Sequence, residues 1–118
     1  MNPYLDRQNN PHIKIEVFLK NWKVVDCLID TGFSGGIALP ETYLTLFKQN
    51  AVGFQEYELA DGSLTTFAIY KTSVRFKNKT SEITLFFTKS SEGLVGIEFL
   101  LGFIWILNYK DFSIEVKI

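Results

Sequence analysis

The 118-residue chain holds a single cysteine, Cys27, a single histidine, His12, and three prolines. One thiol excludes an intrachain disulfide and a cysteine-based zinc site, and it suits a reducing compartment. Cys27 lies in an apolar run and reads as a packing residue. His12 has no second His or Cys to share a metal, so it is expected on the surface and not as a ligand or a triad base. An excess of either charge is also missing, because twelve Lys and Arg face thirteen Asp and Glu for a net −1. No basic stripe interleaved with aromatics stands out, and nucleic acid is not expected as a partner. Long apolar runs are absent too. The most apolar segment, Leu94 to Leu107, contains Glu98 and two glycines and falls short of the ~20 residues that span a bilayer. No membrane partner is expected. Gly35-Gly36 lacks the spacing and the lysine of a phosphate loop, so a nucleotide has no support, and neither a metal nor another cofactor is expected.

What is present favours one folded domain. Hydrophobic residues make up 47% and charged residues 21%, and eleven Phe, five Tyr and two Trp supply the bulky side chains that sheets prefer. The first twelve residues form a polar leader without the apolar stretch of a secretory signal, which makes the cytoplasm the expected location. The domain is then expected over residues 13–118.

Ile13 to Leu19 starts in apolar and polar alternation, turns at Lys20-Asn21-Trp22, and returns through Val24-Val25-Asp26-Cys27-Leu28-Ile29. That pattern predicts a β-hairpin. Pro40 to Phe47 offers proline at a first helical position and apolar residues at three- and four-residue spacing, which predicts a short helix. Phe54 to Lys89 predicts three long strands, broken at Asp61-Gly62-Ser63 and at Lys77-Asn78-Lys79. The Asp-Gly pair suits a tight turn, so Glu58 to Thr66 should project as a ribbon tip. A strand, a short helix and another strand fit Leu94 to Asn108, and Phe112 to Ile118 alternates as a half-buried strand. The fold class is mainly β, a small barrel or sandwich with one or two helical turns.

Asp30-Thr31-Gly32 stands at the end of the second strand, followed by Phe33-Ser34-Gly35-Gly36. In its plainest reading Asp30 starts a turn. Yet a strand end followed by a glycine-rich turn presents a carboxylate at a rigid, otherwise apolar site, where acidity is most readily tuned. Water attack on a peptide carbonyl without a metal needs one group to take a proton and another to give one. Two carboxylates in contact do both, because they share a single proton. One Asp30 cannot. The other aspartates, Asp6, Asp26, Asp61 and Asp111, do not repeat the Thr-Gly context. A two-fold dimer supplies the second acid, since a residue near the axis meets its own copy.

Leu28-Ile29-Asp30-Thr31-Gly32, the Ala60-Asp61-Gly62 turn, and Leu94-Val95-Gly96 followed by Glu98-Phe99-Leu100 occur in the order and spacing of retropepsin-like aspartic proteases. Phe33-Ser34-Gly35 further resembles the small prokaryotic branch of that clan marked by Asp-Thr-Gly-Phe. The resemblance covers roughly Ile13 to Asn108. It implies an all-β, small closed barrel of the retropepsin type, acting as a two-fold homodimer on a peptide or protein substrate.

It also implies roles. Asp30 and its symmetry mate would hold or activate the lytic water, Thr31 would hydrogen-bond across the axis, and Gly32 would let backbone approach the carboxylate. Phe33, Ser34, Ala60, Asp61 and Gly62 would contact substrate, the last three from a flap. Leu94-Val95-Gly96 would pack behind the Asp30 loop, and the last strands would join the subunits. Phe33 departs from the Ala or Ser of other members, adding bulk and offering no hydrogen bond. Ser34 can supply a hydroxyl to the carboxylate or cap the turn backbone. Two other readings stand beside the endopeptidase: a catalytically silent dimeric barrel that binds or scaffolds peptides, and a small-ligand barrel with an accidental triplet.

Overall fold

The computed structural model describes residues 3–59 and 61–118. Strand β1 is Tyr4–Leu5, β2 is Pro11–Phe18 and β3 is Trp22–Ile29. In β2 the alternation buries Ile13, Ile15 and Val17 completely, while Lys14 stays exposed between them. Strand β3 answers with Val25, Cys27 and Ile29, paired in antiparallel register so that Ile13 faces Cys27 and Ile15 faces Val25. This is the predicted hairpin. Each fully buried aliphatic side chain contributes roughly 1.5–3 kcal/mol through removal from water.

The barrel continues through β4 (Ile37–Pro40), β6 (Leu64–Phe76), β7 (Lys79–Thr88) and β8 (Gly93–Val95). Strand β8 runs parallel to β3, β4 lies between β8 and β7, and β6 follows β7. Pairing of Glu16 with Arg75 and Val17 with Val74 brings β6 back to β2 and closes a six-stranded barrel. The all-β expectation holds. The β6–β7 connection is a two-residue turn with Lys77 at φ 52° and Asn78 at φ 62°, which suits the twist of a hairpin.

Strand β5 (Gly53–Glu58) pairs only with the first half of β6, so this hairpin leaves the barrel as a projecting ribbon. Its tip is the tight Asp-Gly turn expected, closed by the Leu59 N–H donating to the Ser63 carbonyl at 2.7 Å and the Gly62 N–H donating to the Leu59 carbonyl at 2.9 Å. Glu58 and Leu64 form the last ladder pair, and Gly62 takes the positive φ (85°) that the turn requires. Asp61 accepts hydrogen bonds from the Ser63 hydroxyl (2.6 Å) and the Ser63 N–H (2.9 Å), and those two bonds lower its pKa. Its carboxylate shapes the loop backbone. The predicted helix after Pro40 is a 3₁₀ turn, Glu41–Thr45, followed by Leu46 and Phe47 donating to carbonyls three residues back. Phe47 ends the turn because its ring packs on Tyr70 and Phe87, at 5.2 and 5.9 Å.

A four-residue helix, α1 (Ile97–Leu100), leads to β9 (Ile104–Asn108) and β10 (Ser113–Lys117), which form a separate two-stranded sheet. Trp105 anchors that sheet. Its indole N–H donates to the Leu100 carbonyl at 2.9 Å, and its ring stacks on Phe76 at 6.0 Å.

His12 corrects the surface reading. It is 9% exposed, held by Asp26 at Nδ1 (2.9 Å) and Asp6 at Nε2 (2.8 Å), with Tyr4 stacked on its ring at 5.1 Å. The Tyr4 hydroxyl also donates to Asp26. Burial acts to lower the His12 pKa, but the hydrogen bonds to Asp26 and Asp6 outweigh it and raise it. This clasp pins β1 to β2 and β3, so residues within the first twelve contribute a strand and, with Asp26, a polar cluster around the buried His12.

Candidate active site

Asp30 follows the last residue of β3, and its N–H donates to the Val95 carbonyl of β8 at 2.9 Å. The loop then turns back on itself. The Gly32 N–H donates to Asp30 Oδ1 at 2.9 Å, and the Phe33 N–H donates to the Asp30 carbonyl at 3.2 Å. A Cβ on Gly32 would stand 3.3 Å from that same Oδ1. Glycine therefore keeps the amide against the carboxylate without crowding it. The Asp30 carboxylate takes this bond from Gly32, not from the Ser34 hydroxyl.

Behind this loop runs the second glycine motif. Gly96 donates to Gly36 O (2.9 Å), Ile97 to Phe33 O (2.8 Å) and Glu98 to Gly35 O (3.1 Å). A Cβ on Gly96 would lie 2.5 Å from the carbonyl oxygens of both Phe33 and Gly35. Leu94-Val95-Gly96 thus passes directly behind the Asp30 loop, as the resemblance implies.

Phe33 finds room for its bulk in the same way. A Cβ on Gly35 would fall 2.6 Å from Phe33 Cζ, and one on Gly96 would fall 2.6 Å from Phe33 Cδ2. The ring occupies a slot between two glycines. Its edges meet Tyr57 at 5.6 Å and Phe86 at 5.5 Å.

A cleft of about 800 Å³ opens over Asp30. The loop contributes Asp30, Gly32, Phe33 and Ser34, while the barrel adds Ala38, Phe86, Thr88 and Leu94. The projecting hairpin supplies Tyr57, Glu58, Leu59, Gly62 and Phe67. The structure therefore brings together Asp30, Gly32, Phe33, Ser34 and Gly62 of the sequence-predicted set. Thr31 and Asp61 are exposed outside the cleft lining, and Ala60 lies outside the described residues.

Sequence reasoning missed the apolar wall of Tyr57, Phe67, Phe86 and Leu94. A usable signal existed for two of them. Register places Phe67 opposite Gln55 and Tyr57 opposite Thr65, so the two rings are diagonal neighbours on one ribbon face. Burial and the nearby Glu98 raise the Tyr57 pKa, which keeps its hydroxyl protonated. Among the described residues, no three His, Cys, Asp or Glu side chains are grouped to hold a metal, and no helix is long and apolar enough to cross a membrane.

No family model matches the sequence, and no curated protein does. Solved structures do. A crystal structure of a retropepsin-like aspartic protease from Rickettsia conorii superposes with a TM-score of 0.66 at 16% identity, covering 99% of this chain and 88% of that one. EIAV protease in complex with the inhibitor HBY-793 gives 0.53 at 13% identity, over 80% of this chain and 88% of the other. The solution structure of Simian Foamy Virus (mac) protease gives 0.51 at 12% identity, over 75% and 90%. With the closed barrel, the Asp30 loop and the glycine motif behind it, these likenesses identify the fold of the chain as that of the retropepsin-like aspartic proteases.

Proposed function

We propose that the chain is an aspartic endopeptidase of the Asp-Thr-Gly-Phe branch, active as a homodimer in which each protomer supplies one Asp30. The observation that carries this reading is the placement of Asp30. Its carboxylate is held by a backbone amide on a glycine-braced loop and lines a largely apolar cleft covered by a projecting hairpin. Glu58, the other acid of the cleft, is carried by the hairpin and not by this loop. The partner for Asp30 is a second Asp30. In the pair, the ionised carboxylate takes a proton from the attacking water while the protonated one gives its proton to the substrate carbonyl.

Thr31, exposed beside Asp30, braces the two loops across the axis in this proposal. Phe33, Ser34, Ala60, Asp61 and Gly62 contact an extended peptide, with the hairpin closing over it and excluding bulk water. The β9–β10 sheet supplies the dimer surface. It exposes Ile104 (56%), Ile106 and Leu107, and its connecting turn exposes Phe112 (64%), apolar side chains that association would bury. A cytoplasmic setting agrees with the one buried thiol.

The test is cleavage of a diverse peptide pool, read by mass spectrometry at mildly acidic to neutral pH. Wild type is expected to cut, and Asp30→Asn to lose at least about a thousandfold in rate, as loss of a group required in the transition state entails. Peptide binding by a dimer that cuts nothing would favour the scaffolding module instead.

A further inference from the structure

We infer that Phe33 is a positioning residue that fastens the β5–β6 hairpin to the Asp30 loop. Its consequence for substrate binding rests on the protease reading above, but the joint itself does not. Phe33 sits on the Asp30 loop, Tyr57 and Phe67 sit on the two arms of the hairpin, and Phe86 sits on barrel strand β7. Four rings thus come from three separate parts of the fold. Tyr57 stacks on Phe86 at 4.9 Å and 21°, Phe67 packs on Phe86 at 4.5 Å, and Phe33 drives its edge into both Tyr57 (65°) and Phe86 (84°). Stacked and edge-to-face contacts at these separations are the attractive geometries of aromatic pairs.

Two further facts make the contact a joint and not merely a patch of core. Apart from these rings the hairpin has little attachment, because β5 is the terminal strand of its sheet and pairs with β6 alone. The Phe33 ring is also fixed in direction by the slot between Gly35 and Gly96, where either glycine would collide with it if it carried a Cβ. The Tyr57 hydroxyl closes the same place, standing 2.9 Å from the position of a Gly35 Cβ. Hairpin posture over the cleft is thereby set jointly by Phe86 of the barrel and by Phe33, three residues after Asp30. A substrate enters either beneath a hairpin held down by this joint or by parting Tyr57 from Phe33.

Amide hydrogen exchange tests the joint without any need for activity. In Phe33→Ala, protection across 53–58 and 64–69 is expected to fall about tenfold or more while the β2–β3 hairpin keeps its protection. Tyr57→Ala should do the same, and the double variant should be looser by clearly less than the sum of the two single effects, since the Phe33–Tyr57 contact is shared while each ring also has its own contact with Phe86. Gly35→Ala keeps every ring but fills the slot, and it should loosen the same amides. Unchanged hairpin protection in folded Phe33→Ala, or additive losses in the double variant, would overturn the inference. If Phe33→Ala also loosens β2–β3, Phe33→Leu, which keeps bulk in the slot without a ring edge, is read by the same criteria. Where wild type cleaves peptides, KM in Phe33→Ala should rise about tenfold, and an unchanged KM overturns the positioning role. Wild type that cleaves nothing counts against the protease reading alone, and exchange then decides the joint.

Discussion

At the residue scale, glycines carry much of the design around Asp30, and their demands differ. Gly32 tolerates a neighbour at 3.3 Å, whereas a Cβ on Gly36 would lie 2.4 Å from the Thr84 carbonyl, which is backbone and cannot step aside. Gly36→Ala is therefore expected to cost about 2–3 kcal/mol, the scale of overpacking in a tight interior, measured by urea denaturation. Cys27 is fully buried, and burial pushes its thiol up to about 12. It should resist thiol reagents in the native state and react only on unfolding.

The His12 clasp gives a pH dependence with a definite sign. His12 is raised above 6.5, so its contribution is complete below that value and is lost as pH rises through the folded pKa. Asp6 is lowered below 3.8, chiefly by the Asn10 N–H, so its contribution is present above that value and is lost as pH falls through the folded pKa. The stability gap between wild type and His12→Asn should be widest between these limits and shrink toward alkaline pH. A gap that does not change with pH would remove the ionic account. Sequence could not show this cluster, because Asp6 and Asp26 lie six and fourteen residues from His12 and meet it only through strand pairing.

At the scale of elements, alternation in β2 and β10 was plainly legible, since a two-residue period on a half-buried strand has one reading, and β3 was read from its apolar run. The segment after Pro40 was not. Its apolar spacing fits a helix, but Phe47 is drawn into the core after one turn and the chain stops there. The Asp-Gly signal was legible, since a tight turn forms there with Gly62 at positive φ and Asp61 holding Ser63. The Asp30 loop was read from its place at a strand end, and the glycine motif behind it was implied by the resemblance to retropepsin-like proteases. Of the aromatic wall, the Tyr57–Phe67 pair lay on one hairpin and was legible, whereas Phe86 and Leu94 come from strands that sequence does not place beside it.

The β9–β10 sheet rests on one large contact. Trp105 packs on Phe76, Phe99 and Phe103 and is half-buried. Trp105→Ala should cost about 2–3 kcal/mol, somewhat below the ~3–5 kcal/mol of a fully buried aromatic, and loosen β9 and β10 first. Denaturation with strand-resolved hydrogen exchange measures both.

For the whole molecule, the account turns on Asp30 being half of a site. A surface that exposes Ile104 and Phe112 fits association through β9 and β10. Ile104→Asp should shift the protein toward monomer in sedimentation and remove cleavage while the barrel stays folded. The most direct measurement is cleavage rate after co-refolding wild type with Asp30→Asn at varied ratio and constant total protein. If every site needs two intact carboxylates, rate follows the square of the wild-type fraction, and an equal mixture retains about one quarter of the activity. A linear dependence, with about one half retained, would mean that each subunit acts alone and would contradict the account.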